Sequence, residues 1–119
     1  MSFMEGVIYL ENSDFNDDLT LKSNVHKNKP SVVMIQRQSC SYCTQAKPAF
    51  KNLSDKSNGF NVYSIQLELE PELINRLRPL DPNMAGVPAY WGFNRQGKYV
   101  KTHSGGRDEN SLLEFIGVL

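Results

Sequence analysis

The sequence predicts an α/β domain whose elements run β-α-β-α-β-α-β-β-α. Short runs rich in β-branched and aromatic residues alternate with stretches of helical patterning, and clusters of Gly, Pro and Asn separate them. One run, Ser31–Gln36, is almost continuously apolar, the pattern of a strand buried on both faces. Near the C-terminus two strand-like runs flank Arg95-Gln96-Gly97, a hairpin turn. With 119 residues, the chain is expected to fold as a single domain, 1–119, that buries a core without metals or staples.

Val7-Ile8-Tyr9-Leu10 is the first expected strand. Asn12-Ser13-Asp14 offers helix caps before a weakly apolar helix over Phe15–Asn24. Lys27-Asn28-Lys29-Pro30 turns the chain into Ser31–Gln36. A second helix runs from the Cys40–Cys43 region to about Ser54, with Pro48 as an internal kink. Asn58-Gly59 breaks it before a strand over Phe60–Leu67. Pro71–Leu77 is a short helix, and Pro79, Pro82 and Gly86 mark an irregular loop. Ala89–Phe93 and Lys98–His103 form the hairpin. Asp108 caps a last helix whose apolar face is Leu112, Leu113, Phe115 and Ile116.

Both cysteines of the chain lie in Cys40-Ser41-Tyr42-Cys43. If these residues open a helix, the i, i+3 spacing puts both sulfurs on one face, within reach of a disulfide. The first sulfur then lies beside unpaired backbone N–H groups at the positive end of the helix dipole. That favours a thiolate, so Cys40 is expected to be the nucleophile and Cys43 the resolving thiol. The pair is a two-electron redox switch. A zinc site would need two further ligands, and His26 and His103 stand alone in the sequence, so no metal is expected.

Composition excludes other classes. Thirteen basic and thirteen acidic residues cancel, which gives no electrostatic reason to bind nucleic acid or an anionic membrane. No apolar run approaches the length of a membrane span. Met1-Ser2-Phe3-Met4-Glu5-Gly6 lacks the basic and apolar parts of a secretory signal, and two cysteines make no disulfide framework. A cytoplasmic location is therefore expected.

The element order, with C-x-x-C between the second strand and second helix, resembles thioredoxin over nearly the whole chain. Pro48, five residues after Cys43, matches the kinking proline of that family's second helix. Gly86-Val87-Pro88 resembles its cis-proline loop, and Gly105-Gly106 with Glu114-Phe115-Ile116 resembles its last glycine and final helix. The resemblance implies a thioredoxin fold, a central mixed β-sheet flanked by helices, and a thiol–disulfide oxidoreductase that reduces protein disulfides through Cys40 and Cys43. It implies a cis Val87–Pro88 bond that turns the Val87 backbone toward the sulfurs, where it pairs with an extended substrate strand. Gly86, Val87, Pro88, Ser41 and Tyr42 are thus candidate substrate-binding residues. It also implies no bound cofactor, a thioredoxin reductase or glutathione as recycling partner, and a monomer.

Several positions depart from that family. Ser41-Tyr42 replaces the usual Gly-Pro, and Ser39 replaces the Trp before the first cysteine. Met34 stands where the family has a buried Asp, and that acid's strand-3 Lys partner falls near Ser64. Loss of the acid leaves proton transfer from the second thiol to water and implies slower turnover. Some departures lean toward glutaredoxin. C-S-Y-C is close to that family's C-P-Y-C, Arg37 matches a basic residue that binds the glutathione carboxylate, and Gly105-Gly106-Arg107-Asp108 resembles its G-G-x-D. Against this, the seventeen-residue separation of Pro88 and Gly105 fits the longer thioredoxin hairpin. A glutathione-dependent oxidoreductase and a non-catalytic binding module with this fold are the alternative readings.

Overall fold

A computed structural model of the chain describes residues 4–119; Met1, Ser2 and Phe3, which begin the N-terminal stretch read above, lie outside the described residues. Five strands form one sheet: β1 (Ile8–Tyr9), β2 (Ser31–Gln36), β3 (Asn61–Gln66), β4 (Ala89–Phe93) and β5 (Tyr99–Thr102). Their spatial order is β1-β3-β2-β4-β5. β1 and β2 run parallel to β3, whereas β4 is antiparallel to both β2 and β5, so the sheet is mixed. The helices are α1 (Ser23–His26), α2 (Ser41–Asp55), α3 (Pro71–Leu77) and α4 (Glu109–Ile116). The observed order is the expected one, with strand ends trimmed by one or two residues.

All six residues of β2 are buried, and its side chains alternate between two cores. Val33 and Ile35 join Tyr63, Ile65, Leu73, Leu77, Trp91 and Phe93 on the α1 and α3 side. Val32 and Met34 join Ala46, Phe50, Leu53, Tyr90, Leu112 and Phe115 on the α2 and α4 side. A side chain as large as Phe50, with no exposed surface, contributes about 1.5–3 kcal/mol by burial alone. Gly92 keeps β4 open to α4: a Cβ there would lie 2.7 Å from the Phe115 ring.

The first helix is the one substantial correction. The expected helix over Phe15–Asn24 does not form. Asn12–Asp14 makes a 3-10 turn, Phe15 and Leu21 face each other across an isolated antiparallel bridge, and α1 is limited to Ser23–His26. The intervening polar residues bond to each other in place of a helical ladder. Asp18 Oδ1 accepts from the Thr20 hydroxyl at 2.6 Å and its N–H at 3.1 Å, and Asn16 Nδ2 donates to Thr20 Oγ1 at 2.9 Å. A helix would also place Phe15 and Leu21, six residues apart, about 120° apart around its axis. The folded-back loop instead buries both in one core.

Two partners fix this loop. Arg76 on α3 donates to Asn12 Oδ1 at 2.7 Å and to the Asn16 carbonyl at 2.6 Å. The Leu21 N–H donates at 2.8 Å to the carbonyl of Gly97, in the β4–β5 turn. Gly97 has φ +79, and a Cβ there would lie 2.6 Å from the Leu21 carbonyl oxygen. Gly97→Ala is therefore expected to destabilise the fold by about 2 kcal/mol. Gln96→Ala, in the same exposed turn, is expected to stay within about 0.5 kcal/mol. Urea unfolding of the two variants tests the difference.

Burial pushes the Tyr90 phenol up from 10 to about 12, with Arg107 pulling the other way. The unfolded chain thus loses this proton more readily than the folded one. Stability is full below about pH 10 and falls as pH rises toward 12. Burial raises Tyr63 and Tyr99 in the same direction. Tyr90→Phe should make the alkaline loss shallower without abolishing it, measured as the urea midpoint at about pH 8 and about pH 11.

Candidate active site

The site begins where β2 ends. Arg37-Gln38-Ser39 leads out of the sheet, and the Gln38 N–H donates to Glu68 Oε2 at 2.7 Å, which ties this loop to the end of β3. Cys40 is the N-cap of α2, with extended backbone angles of φ −135 and ψ 108. Its Sγ accepts the Cys43 N–H at 3.1 Å, the position a Ser or Asp oxygen fills at other helix starts. Cys40 is part-buried, whereas Cys43 has no exposed surface. The two are joined as a disulfide with Cα atoms 5.1 Å apart. The Cys43 N–H and the positive end of the α2 dipole thus both face this sulfur.

Sheet topology brings the second wall. β4 runs antiparallel to β2, with Ala89 opposite Ile35, so the segment before β4 lies beside the end of β2. That segment is Gly86-Val87-Pro88, and the Val87–Pro88 peptide bond is cis. The Val87 carbonyl oxygen lies 3.7 Å from Cys40 Sγ. Pro88 is buried, Val87 part-buried and Gly86 exposed. A backbone with a polar group aimed at the reactive sulfur is thus held against it by the sheet.

Beneath α2 the polar groups are neutral. Met34 has no exposed surface and pairs in register with Ser64. Ser64 Oγ donates to the Met34 carbonyl at 2.8 Å and accepts from Gln36 Nε2 at 3.0 Å. Gln36 Nε2 also reaches the Tyr9 hydroxyl at 2.8 Å. The network is built from amide and hydroxyl groups, with Gln36 Oε1 buried and without a partner among the described residues, and no buried carboxylate stands at Met34 to accept a thiol proton. On the outer side of α2, burial lowers the Lys47 pKa while the Glu68 carboxylate opposes that shift.

At the rim Tyr42 is 61% exposed, and the Arg107 guanidinium lies over its ring, 5.6 Å from the centroid. A groove of about 390 Å³ runs beside the proline loop, lined by Asp81, Met84, Gly86, Val87, His103 and Arg107 among others. Asp81 Oδ2 accepts from Thr102 Oγ1 at 2.7 Å and Trp91 Nε1 at 3.1 Å. The structure therefore brings Cys40, Cys43, Tyr42, Gly86, Val87 and Pro88 together. Ser41 is exposed on the first turn of α2, and Arg37 is exposed with no hydrogen bond or ion pair to a described residue. Asp108 caps α4: its carboxylate accepts from Ser111 Oγ at 2.7 Å and Ser111 N–H at 3.3 Å, which lowers its pKa. Sequence reasoning missed the placement of Arg107 over Tyr42 and of Asp81 in the groove, because both contacts join residues distant in the chain. Among the described residues, no cluster of His, Cys, Asp and Glu is arranged to hold a metal, and no helix is long and apolar enough to cross a membrane.

No family model matches the chain. It is 27% identical over 130 residues to a protein of Invertebrate iridescent virus 6 named thioredoxin-like protein 453L, covering 96% of this chain and 94% of the relative. It is 26% identical over 126 residues to uncharacterized protein 196R of the same virus, covering 98% of this chain and 70% of the relative. Among solved structures it superposes on a mutant thioredoxin of Halobacterium salinarum NRC-1 with a TM-score of 0.68 at 20% identity, covering 93% of this chain and 88% of that one. Human ERp44 gives a TM-score of 0.74 at 16% identity; the match covers 98% of this chain, which spans 31% of the ERp44 chain. The mixed five-stranded sheet, the Cys40–Cys43 pair at the start of α2 and these likenesses show that the chain has the thioredoxin fold.

Proposed function

We propose that the chain is a thiol–disulfide oxidoreductase that reduces disulfides in polypeptides. The observation that carries this reading is the environment of the Cys40 sulfur. It is part-exposed, accepts the Cys43 N–H at 3.1 Å, lies 3.7 Å from the Val87 carbonyl and is bonded to a buried partner thiol.

The steps follow from thiol–disulfide exchange. The Cys40 thiolate attacks one sulfur of a substrate disulfide; the S–S bond breaks and the other substrate sulfur leaves as a thiolate. Cys40 is then joined to the substrate as a mixed disulfide. The Cys43 thiolate attacks Cys40 Sγ, the mixed disulfide breaks, and the second substrate sulfur leaves. The substrate gains two electrons and the protein keeps the Cys40–Cys43 disulfide. With Met34 in place of an acid, the Cys43 proton passes to water or to the departing substrate thiolate. During the mixed-disulfide stage the substrate backbone lies along Val87, with Ser41, Tyr42, Gly86 and Pro88 around it. A thioredoxin reductase or glutathione returns the protein to the dithiol, in a compartment with a reducing poise such as the cytoplasm. The redox couple itself needs no bound organic cofactor or metal.

Trapping tests the roles. Cys43→Ser should accumulate mixed disulfides through Cys40, seen on non-reducing gels and lost on adding dithiothreitol. Cys40→Ser should accumulate almost none, and equal yields from both variants would refute the assignment. A second measurement concerns acidity. The alkylation rate of Cys40 in the reduced protein, followed against pH, should have its midpoint below the ~8.5 of a free thiol. Cys43 should react more slowly throughout, and faster labelling at Cys43 would reverse the two roles.

A further inference from the structure

Arg107 lies between β5 and α4, far in sequence from the cysteines, yet its guanidinium sits over the ring of Tyr42. Tyr42 is one of the two residues between the sulfurs, so this contact places a positive charge at the edge of the motif. An aromatic face supports a guanidinium without using its five N–H donors. Arg107 is exposed, and among the described residues it makes no hydrogen bond and no ion pair.

The other charged or titratable groups facing the groove are engaged. Asp81 Oδ2 accepts from both Trp91 and Thr102, and His103 Nε2 lies 2.7 Å from the Gly106 carbonyl oxygen. Asp108, the neighbour of Arg107, gives its carboxylate to Ser111. The groove is lined by Val87, whose carbonyl oxygen lies 3.7 Å from Cys40 Sγ, and also by Gly86, His103 and Arg107. A polypeptide joined to Cys40 and lying along Val87 would thus lay its flanking residues beside the Arg107 guanidinium, which shares that groove. The chain has zero formal net charge, so no overall field selects substrates by charge and a local contact decides.

We propose that Arg107, positioned by Tyr42, is a specificity residue that binds a carboxylate on the polypeptide being reduced, on a Glu or Asp beside the reacting cysteine. The inference rests on the oxidoreductase reading above and names the substrate class that site prefers. The planar fork suits bidentate capture of a carboxylate, which a lysine would grip less well.

The test uses disulfide-linked peptides that differ only by Glu or Gln at each of the two positions on either side of the reacting cysteine. Wild-type protein is expected to favour Glu at one of these positions by about three- to ten-fold in kcat/KM, the range of a partly exposed charge-assisted contact. Arg107→Gln should bring that ratio to one, Arg107→Lys should leave it intermediate, and added salt should shrink it in the wild type. A wild-type ratio of one at every position overturns the inference alone, as does a ratio that survives Arg107→Gln. Failure of the wild type to reduce any of the peptides overturns the oxidoreductase reading and this inference with it. Glutathione disulfide and its methyl ester form the second arm. Carboxylate discrimination that depends on Arg107 in this arm but not in the peptides overturns the assignment to a polypeptide.

Discussion

The double-sided burial of β2 is the constraint from which the rest of the structure follows. All six of its residues are buried, and each of its faces is the floor of a separate core. A strand in that position must have partners on both edges, which β3 and β4 supply with opposite polarities. The parallel partner requires a crossover, and α2 is that crossover. The antiparallel partner puts the start of β4 beside the end of β2. Cys40 and Val87 thus meet because one strand is central. Neither residue has to be steered there by its own local preferences.

The same strand decides what lies under the reactive helix. Met34 faces α2, and its register partner on β3 is Ser64. In place of ionised groups there are the hydroxyls of Tyr9 and Ser64 and the amide of Gln36, in a chain of short hydrogen bonds. A buried neutral network avoids the desolvation cost of ions, although here it leaves Gln36 Oε1 without a partner among the described residues. It also leaves no buried carboxylate of the described residues beneath Cys43. Under the proposed exchange reaction, Cys40 would draw on backbone N–H groups for activation, while Cys43 would rely on groups that arrive with solvent or substrate.

Much of this was legible in the sequence, and the reasons differ by element. Ser31–Gln36 was readable because a strand buried on both faces carries a continuous apolar run. The start of α2 was readable because an i, i+3 pair of sulfurs has a geometric meaning, and Gly86-Val87-Pro88 because it resembles the cis-proline loop of thioredoxins. The Phe15–Asn24 helix was not readable. The pattern of apolar residues there fits a helix weakly, and the competing Asp18–Thr20 and Asn16–Thr20 hydrogen bonds decide the outcome. The rim escaped for another reason. The approach of Arg107 to Tyr42 and the bonds from Trp91 and Thr102 to Asp81 span long stretches of chain, and no local pattern encodes them.

The bond between Trp91 and Asp81 has an optical consequence. Trp91 is the only tryptophan in the chain and is 1% exposed, so its emission comes from one site of fixed polarity. Its indole N–H points at a carboxylate that also borders the groove beside Val87. An occupant that disturbs that carboxylate changes the electric field across the ring, and with it the colour and yield of the fluorescence. Trp91 packs in the core opposite α2, so the signal arises on the far side of the sheet from the helix that carries the cysteines. The molecule thus carries an intrinsic, label-free gauge of groove occupancy that is spatially separate from its thiol chemistry.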